Sequence, residues 1–178
     1  MYERILIVLE DHLAARVAVK EGTALARLHG SQVVFFCMIP QPVVALPDAP
    51  PLMAVSPKDY QIEARARSER LLAAAARVAR RRGVASTGVL GHDFNESDCV
   101  LDAAAQHRCG LIVVASEGQN ALVRLVSGNV IPRLITASAV PVLVCQGNPR
   151  RAAARRPHDA ASQQAASADL NVPPPLGG

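Results

Sequence analysis

The sequence predicts a three-layer α/β sandwich, an open five-stranded parallel sheet with helices on both faces. Three observations carry this reading. Short β-branched and aliphatic runs alternate with longer segments of helical apolar spacing, and strands separated by helices pair in parallel because a parallel connection needs a crossover. Three runs, Ile5–Leu9, Val33–Ile39 and Leu111–Val114, are continuously apolar, the pattern of strands covered on both sides. Half of the 178 residues are apolar, yet aromatic residues make up 3% and Trp is absent, so Val, Leu, Ile and Ala must fill the core. That is material for one domain.

The elements follow in order. Ile5–Leu9 is the first strand, bounded by Glu10, Asp11 and His12. A helix from Leu13 to His29 has apolar positions Ala14, Val17, Ala18, Leu25 and Leu28, with Asp11 as its N-cap and Gly30 just past its end. The second strand, Val33–Ile39, is followed by a proline-dense loop from Pro40 to Ser56, too long for a simple connector. Ser56 as N-cap, Pro57 at the first helical position and Asp59 in the first turn open a long helix through Ile62, Ala66, Leu72, Ala76 and Ala79 that stops at Gly83. Val84–Leu90 is a weaker strand, diluted by Ser86, Thr87 and Gly88. A short helix starts at Ser97-Asp98 and ends at Arg108 and Gly110, before the fourth strand. Asn129 caps a helix with Pro132 in its first turn, where the missing N–H costs little. The last strand, Val140–Cys145, carries Pro141 near its start, as an edge strand can. The folded domain is thus residues 1–146, and residues 147–178, poor in large apolar groups, are expected to be a disordered Ala/Arg/Pro-rich tail.

The charge pattern argues against several function classes. The net charge is +4 and the pI about 9.2. Four tail arginines (Arg150, Arg151, Arg155, Arg156) stand against Asp159 and Asp169, so half of that charge lies outside the fold. The run Arg80–Arg82 falls at a helix end, where cations offset the dipole. Nucleic acid is therefore not an expected partner, and a stacking platform is all but excluded by the lack of aromatics. Cys37, Cys99, Cys109 and Cys145 lack metal or disulfide spacing and read as thiols of a reducing compartment. The apolar run near Met1 is too short for a signal peptide and no stretch approaches a membrane span, so a soluble, cytoplasmic protein is expected.

The segment from Ala115 to Val130 is the most informative. It follows a buried strand, holds small residues that let backbone N–H groups approach an anion, and closes on a helix N-terminus, so a phosphate could rest there. Taken alone, Gly118 and Gly128 also satisfy tight turns. Here the chain resembles the universal stress protein family, whose ATP-binding members carry G-x2-G-x9-G-[ST] at this place. Gly118 and Gly128 match the second and third glycines; Ala115 replaces the first, and Asn129 the Ser/Thr. Arg4–Leu9 and Val140–Val144 look like the family's first and last strands. The resemblance spans roughly residues 2–146 and implies a Rossmann-like fold of the adenine nucleotide alpha hydrolase type.

It also implies a site. Glu10 stands where the family has an Asp that holds the ribose or base region, and the backbone of Met38 and Ile39 would flank the base. On the residues alone, Glu10 reads equally well as a solvated carboxylate. Ala115, if its position needs positive φ, Asn129, which doubles as a helix cap, and Glu117, a carboxylate beside phosphates unless Arg124 neutralises it, all argue for weakened binding. His12 and His92-Asp93 lie at strand ends as polar pocket walls or surface residues. No nucleophile and base pair or metal cluster stands out, and no S-G-G-x-D-S loop follows the first strand. The expectation is a non-catalytic stress-response protein with ATP or another adenine nucleotide, accompanied by Mg²⁺, as its ligand. A homodimer through Val140–Cys145 is implied by the resemblance and suits an apolar strand edge. The alternative is an interaction module that has lost the nucleotide and meets a protein partner through its dimer surface, the Pro40–Ser56 loop and the basic tail.

Overall fold

The computed structural model describes residues 2–10, 15–41, 56–92, 95–116 and 130–146. These contain strands β1 (Arg4–Leu9), β2 (Gln32–Met38), β3 (Ser86–Gly91), β4 (Leu111–Ser116) and β5 (Val142–Gln146), and helices α1 (Ala15–His29), α2 (Pro57–Arg81), α3 (Glu96–Gln106) and α4 (Val130–Ala137). All the strands pair in parallel in the order β3-β2-β1-β4-β5. The anticipated sheet is the observed one, with β1 central and β5 at an edge. The expected tail lies outside the described residues.

Strand alternation sorts the core into two layers. Ile5, Ile7, Leu9, Val33, Phe35, Val113 and Ala115 face α1 and α2, which contribute Ala18, Val19, Ala26, Ala75 and Ala79. Leu6, Val8, Val34, Phe36, Ile112 and Val114 face the other way, against Val100, Ala103 and Ala104 of α3 and Leu134 of α4. The continuous apolar runs of β1, β2 and β4 are explained by this double cover.

The helix faces differ from the sequence reading. Leu28 is 82% exposed and Ile62 69% exposed, although both fell on the expected apolar stripes. The faces that meet the sheet are built from smaller residues, Ala15, Ala18, Val19, Gly22, Thr23 and Ala26 on α1 and Ala64, Ser68, Ala75 and Ala79 on α2. Small side chains let the helix backbones approach the sheet closely; a Cβ at Gly22 would stand 2.5 Å from Ile7 Cδ1. Gly30 (φ +66°) and Gly83 (φ +69°) end α1 and α2 in the left-handed conformation, as anticipated.

Helix α3 begins one residue before the expected Ser97. Its cap is Asn95, whose side-chain oxygen accepts from the Asp98 N–H at 3.5 Å while its amide donates to the Asp98 carboxylate at 2.6 Å. Ser56 is the N-cap of α2 by position, but its side chain makes no cap hydrogen bond, and Pro57 follows at the start of the helix. At the other end of α2, Arg82 does more than offset a dipole. Its guanidinium donates to the Lys20 carbonyl and, at 2.7 Å, to the Thr23 hydroxyl, joining α2 to α1.

Candidate functional site

The carboxyl ends of β1 and β4 separate. Their pairing runs from Ile5↔Leu111 to Ile7↔Val113, whereas β1 stays paired with β2 up to Leu9↔Cys37 and β4 with β5 up to Ser116↔Gln146. Each strand thus holds its outer neighbour while the two diverge from one another. The chain leaving β1 enters α1 on one face, and α4, after β4, lies on the opposite face. This is a topological switch point, where open α/β sheets bind ligands.

Glu10 follows directly on β1 at that opening and is half-buried. A second acid, unnoticed in the sequence, lies near it. Glu96, in the first turn of α3, has its carboxyl pushed above the usual carboxylate range, first by burial and then by the Glu10 charge. Asp98, two residues further in the same turn, binds the Arg133 guanidinium of α4 through both oxygens at 2.8 and 3.0 Å, tying the two helices on that face together. An acidic residue after a strand is legible in a sequence; a second acid from another helix that feels its charge is not.

The other expected site residues fall as follows. Ala115 lies inside β4, opposite Cys145, with its side chain buried in the layer beneath α1. Its φ is not positive, since Arg108 alone among described non-glycine residues has that sign. The supposed backbone penalty for alanine therefore does not arise at this position. Met38 and Ile39 stand at the tip of β2, and their backbone groups are engaged: the Ile39 N–H donates to the Gly91 carbonyl at 3.0 Å, and the Met38 carbonyl accepts from the Ser68 hydroxyl at 3.1 Å. Gly118, Arg124, Gly128 and Asn129 lie outside the described residues, as do Glu117, Asp11, His12 and Asp93. His92 is exposed. Among the described residues no group of three His, Cys, Asp or Glu side chains is arranged to hold a metal ion, and no helix is long and apolar enough to cross a membrane.

The universal stress protein family model matches residues 1–146. The chain belongs to the universal stress protein family. Comparison with curated proteins gives no match. Among solved structures the chain is similar to a protein of this family from Burkholderia pseudomallei, at 23% identity and a TM-score of 0.64, over 80% of this chain and 95% of that one. It is also similar to the universal stress protein from Archaeoglobus fulgidus in complex with dAMP (18% identity, TM-score 0.58, 81% and 98% covered). A third likeness is to a family protein from Arabidopsis thaliana with AMP bound (15% identity, TM-score 0.60, 89% and 97% covered). At these identities the likeness is one of fold, and it matches the open parallel sheet described above.

Proposed function

We propose that this universal stress protein is a non-catalytic, cytoplasmic stress-response protein that binds an adenine nucleotide weakly at the tips of β1, β2 and β4. The observation that carries the reading is the separation of β1 and β4 beyond Ile7↔Val113, with Glu10 at the mouth. A carboxylate there is an acceptor for ribose hydroxyls, and two structural neighbours are described with dAMP and AMP. Weak binding is supported by two features. Glu96 lies within reach of the Glu10 charge, so the mouth already carries two acids that disfavour a further anion, and the Ile39 N–H is already committed to Gly91. By the family resemblance the partners of the phosphates and any Mg²⁺ are Gly118, Arg124, Gly128 and Asn129, which lie outside the described residues.

Calorimetric titration with ATP, ADP and AMP tests the proposal. Saturable heat with a dissociation constant on the order of 0.1–1 mM is expected, about tenfold weaker in Glu10→Ala. Absence of heat and of any thermal shift at millimolar nucleotide overturns it. The second reading, an interaction module without nucleotide, is favoured by the engaged backbone of Met38 and Ile39 and would then stand.

Both readings include a homodimer through the residues Val140–Cys145. Strand β5 pairs only with β4 among the described residues, leaving an edge, and Leu143 on it is 40% exposed. Light scattering behind size exclusion should give the dimer mass at micromolar concentration, and Leu143→Lys should shift it to monomer. A wild-type monomer at that concentration sinks this part of the proposal.

A further inference from the structure

A hollow of about 600 Å³ opens between α1 and α2, beside the tip of β1 and away from β4. It exists because the two helices touch the same face of the sheet but are tied together near the C-terminus of α2, where Arg82 reaches Lys20 and Thr23. Nearer the carboxyl edge the facing positions are small: Ala15 on α1 and Ala74 and Ala75 on α2. The floor and walls are aliphatic, with Leu9, Val19, Leu71 and Val78. The volume lies within the range of about 300–1,000 Å³ in which proteins hold small molecules.

The rim is charged, and unevenly. Arg16 and Lys20 project from α1 one turn apart, both exposed; Arg16 has no carboxylate partner among the described residues, and Lys20 has only Glu21 at 4.0 Å. Glu10 closes the end towards the strand tips. An aliphatic trough with two adjacent cations on one lip complements a ligand with an apolar chain and a single anionic head, which the acid at the end directs to that lip. We infer that this hollow is a second ligand site, one that takes a medium-chain aliphatic carboxylate, its head held between Arg16 and Lys20 and its chain laid across Val19 onto Leu71 and Val78. From Leu71 to Val78 α2 rises about 10 Å, the length of roughly eight to ten carbons, and the crossing from the Arg16–Lys20 lip over Val19 takes up a few carbons more. The inference does not depend on whether a nucleotide binds at the strand tips.

Titration calorimetry on the full chain, with probes kept below their micelle-forming concentrations, tests it. Dodecanoate should bind saturably, decanoate about tenfold more weakly for its two fewer methylenes, and dodecyltrimethylammonium at least about tenfold more weakly for its opposite charge. The double variant Arg16→Gln, Lys20→Gln should weaken dodecanoate about fivefold. Ala74→Phe, at an exposed position that leaves the sheet-facing core intact, should abolish dodecanoate binding with an unchanged melting temperature. Equal binding of the cationic probe, indifference to Ala74→Phe, or displacement of dodecanoate by AMP overturns the inference. So does a complete lack of dodecanoate binding, the result expected if a protein segment fills the hollow.

Discussion

The Ser68 hydroxyl donates to the Met38 carbonyl at 3.1 Å, so the middle of α2 holds the tip of β2. Ser68 is 3% exposed, and its partner carbonyl is the last of the strand. Replacing it with alanine leaves that carbonyl short of one partner without opening a large cavity. Ser68→Ala should cost about 1 kcal/mol in urea denaturation with an unchanged slope. A loss near zero would show that water replaces the hydroxyl and that the strand tip is open to solvent.

The sheet was readable in the sequence because its evidence is local. A run such as Ile5–Leu9 or Leu111–Val114 has no polar face to present, so it must be covered twice, and helices between the runs supply the cover. The helix faces were not readable in the same way. In α2 alanines occur on every side, so the periodic signal came from Ile62 and Leu72, and Ile62 turned out to be solvent-facing. Asn95 was overlooked as a cap because Ser97-Asp98 offered the same chemistry two residues later. In the site, Glu10 could be placed because a strand end is a sequence feature, whereas its neighbour Glu96 comes from a different βα unit and is brought close only by strand order. Ala115 carried a conditional penalty that only its backbone angle could remove.

Gly22 of α1 lies against Ile7 at the centre of the sheet. A Cβ there would stand 2.5 Å from Ile7 Cδ1, 3.0 Å from Cγ1 and 3.6 Å from Val113 Cγ1, and Ile7 is fully buried, so its side chain would have to shift within a packed layer. Gly22→Ala gains about 1 kcal/mol of helix propensity, but the overlap outweighs it, for a net loss of about 1–2 kcal/mol. Ile7→Val removes the offending methyl and alone costs about 1 kcal/mol. The double variant should be at least about 1 kcal/mol more stable than the sum of the single losses implies. Strict additivity would show that the helix shifts outward instead of pressing on Ile7.

Glu96 makes stability depend on pH in a direction opposite to the usual salt-bridged acid. Burial, and then the Glu10 charge, raise its folded pKa, so the folded state holds the proton more tightly than the unfolded state. Its contribution is therefore intact below the unfolded value of about 4.3 and is lost as pH rises from there through the folded pKa. Glu96→Gln, which keeps the shape without the charge, should be more stable than wild type at pH 7.5, and the gap should close as pH falls towards 4.5. Glu10→Gln should narrow the same gap by removing the second cause. Urea midpoints across that range decide it, and a gap independent of pH would refute the assignment.

Cys109, just before β4, has its thiol pushed up to about 11 by burial, partly opposed by the Arg4 charge, and Cys145 is raised by burial and by Glu21. Both are buried, while Cys99 is half-buried. The reagent must reach the sulfur, so at pH 8 Cys99, the most exposed, should react first, and Cys109 and Cys145, buried and with raised pKa, only as fast as the protein opens, since only thiolates attack. The same shift acts on stability. The unfolded thiol ionises near 8.5 and the folded Cys109 near 11, so its contribution is complete below about pH 8.5 and is lost progressively as pH climbs towards the folded value. Cys109→Ala costs some packing but removes that dependence, so wild type should exceed the variant most at pH 7.5 and least at pH 10. Mass mapping of the labelled cysteines, together with urea midpoints at the two pH values, measures both effects, and rapid native labelling of Cys109 would contradict the burial from which they follow.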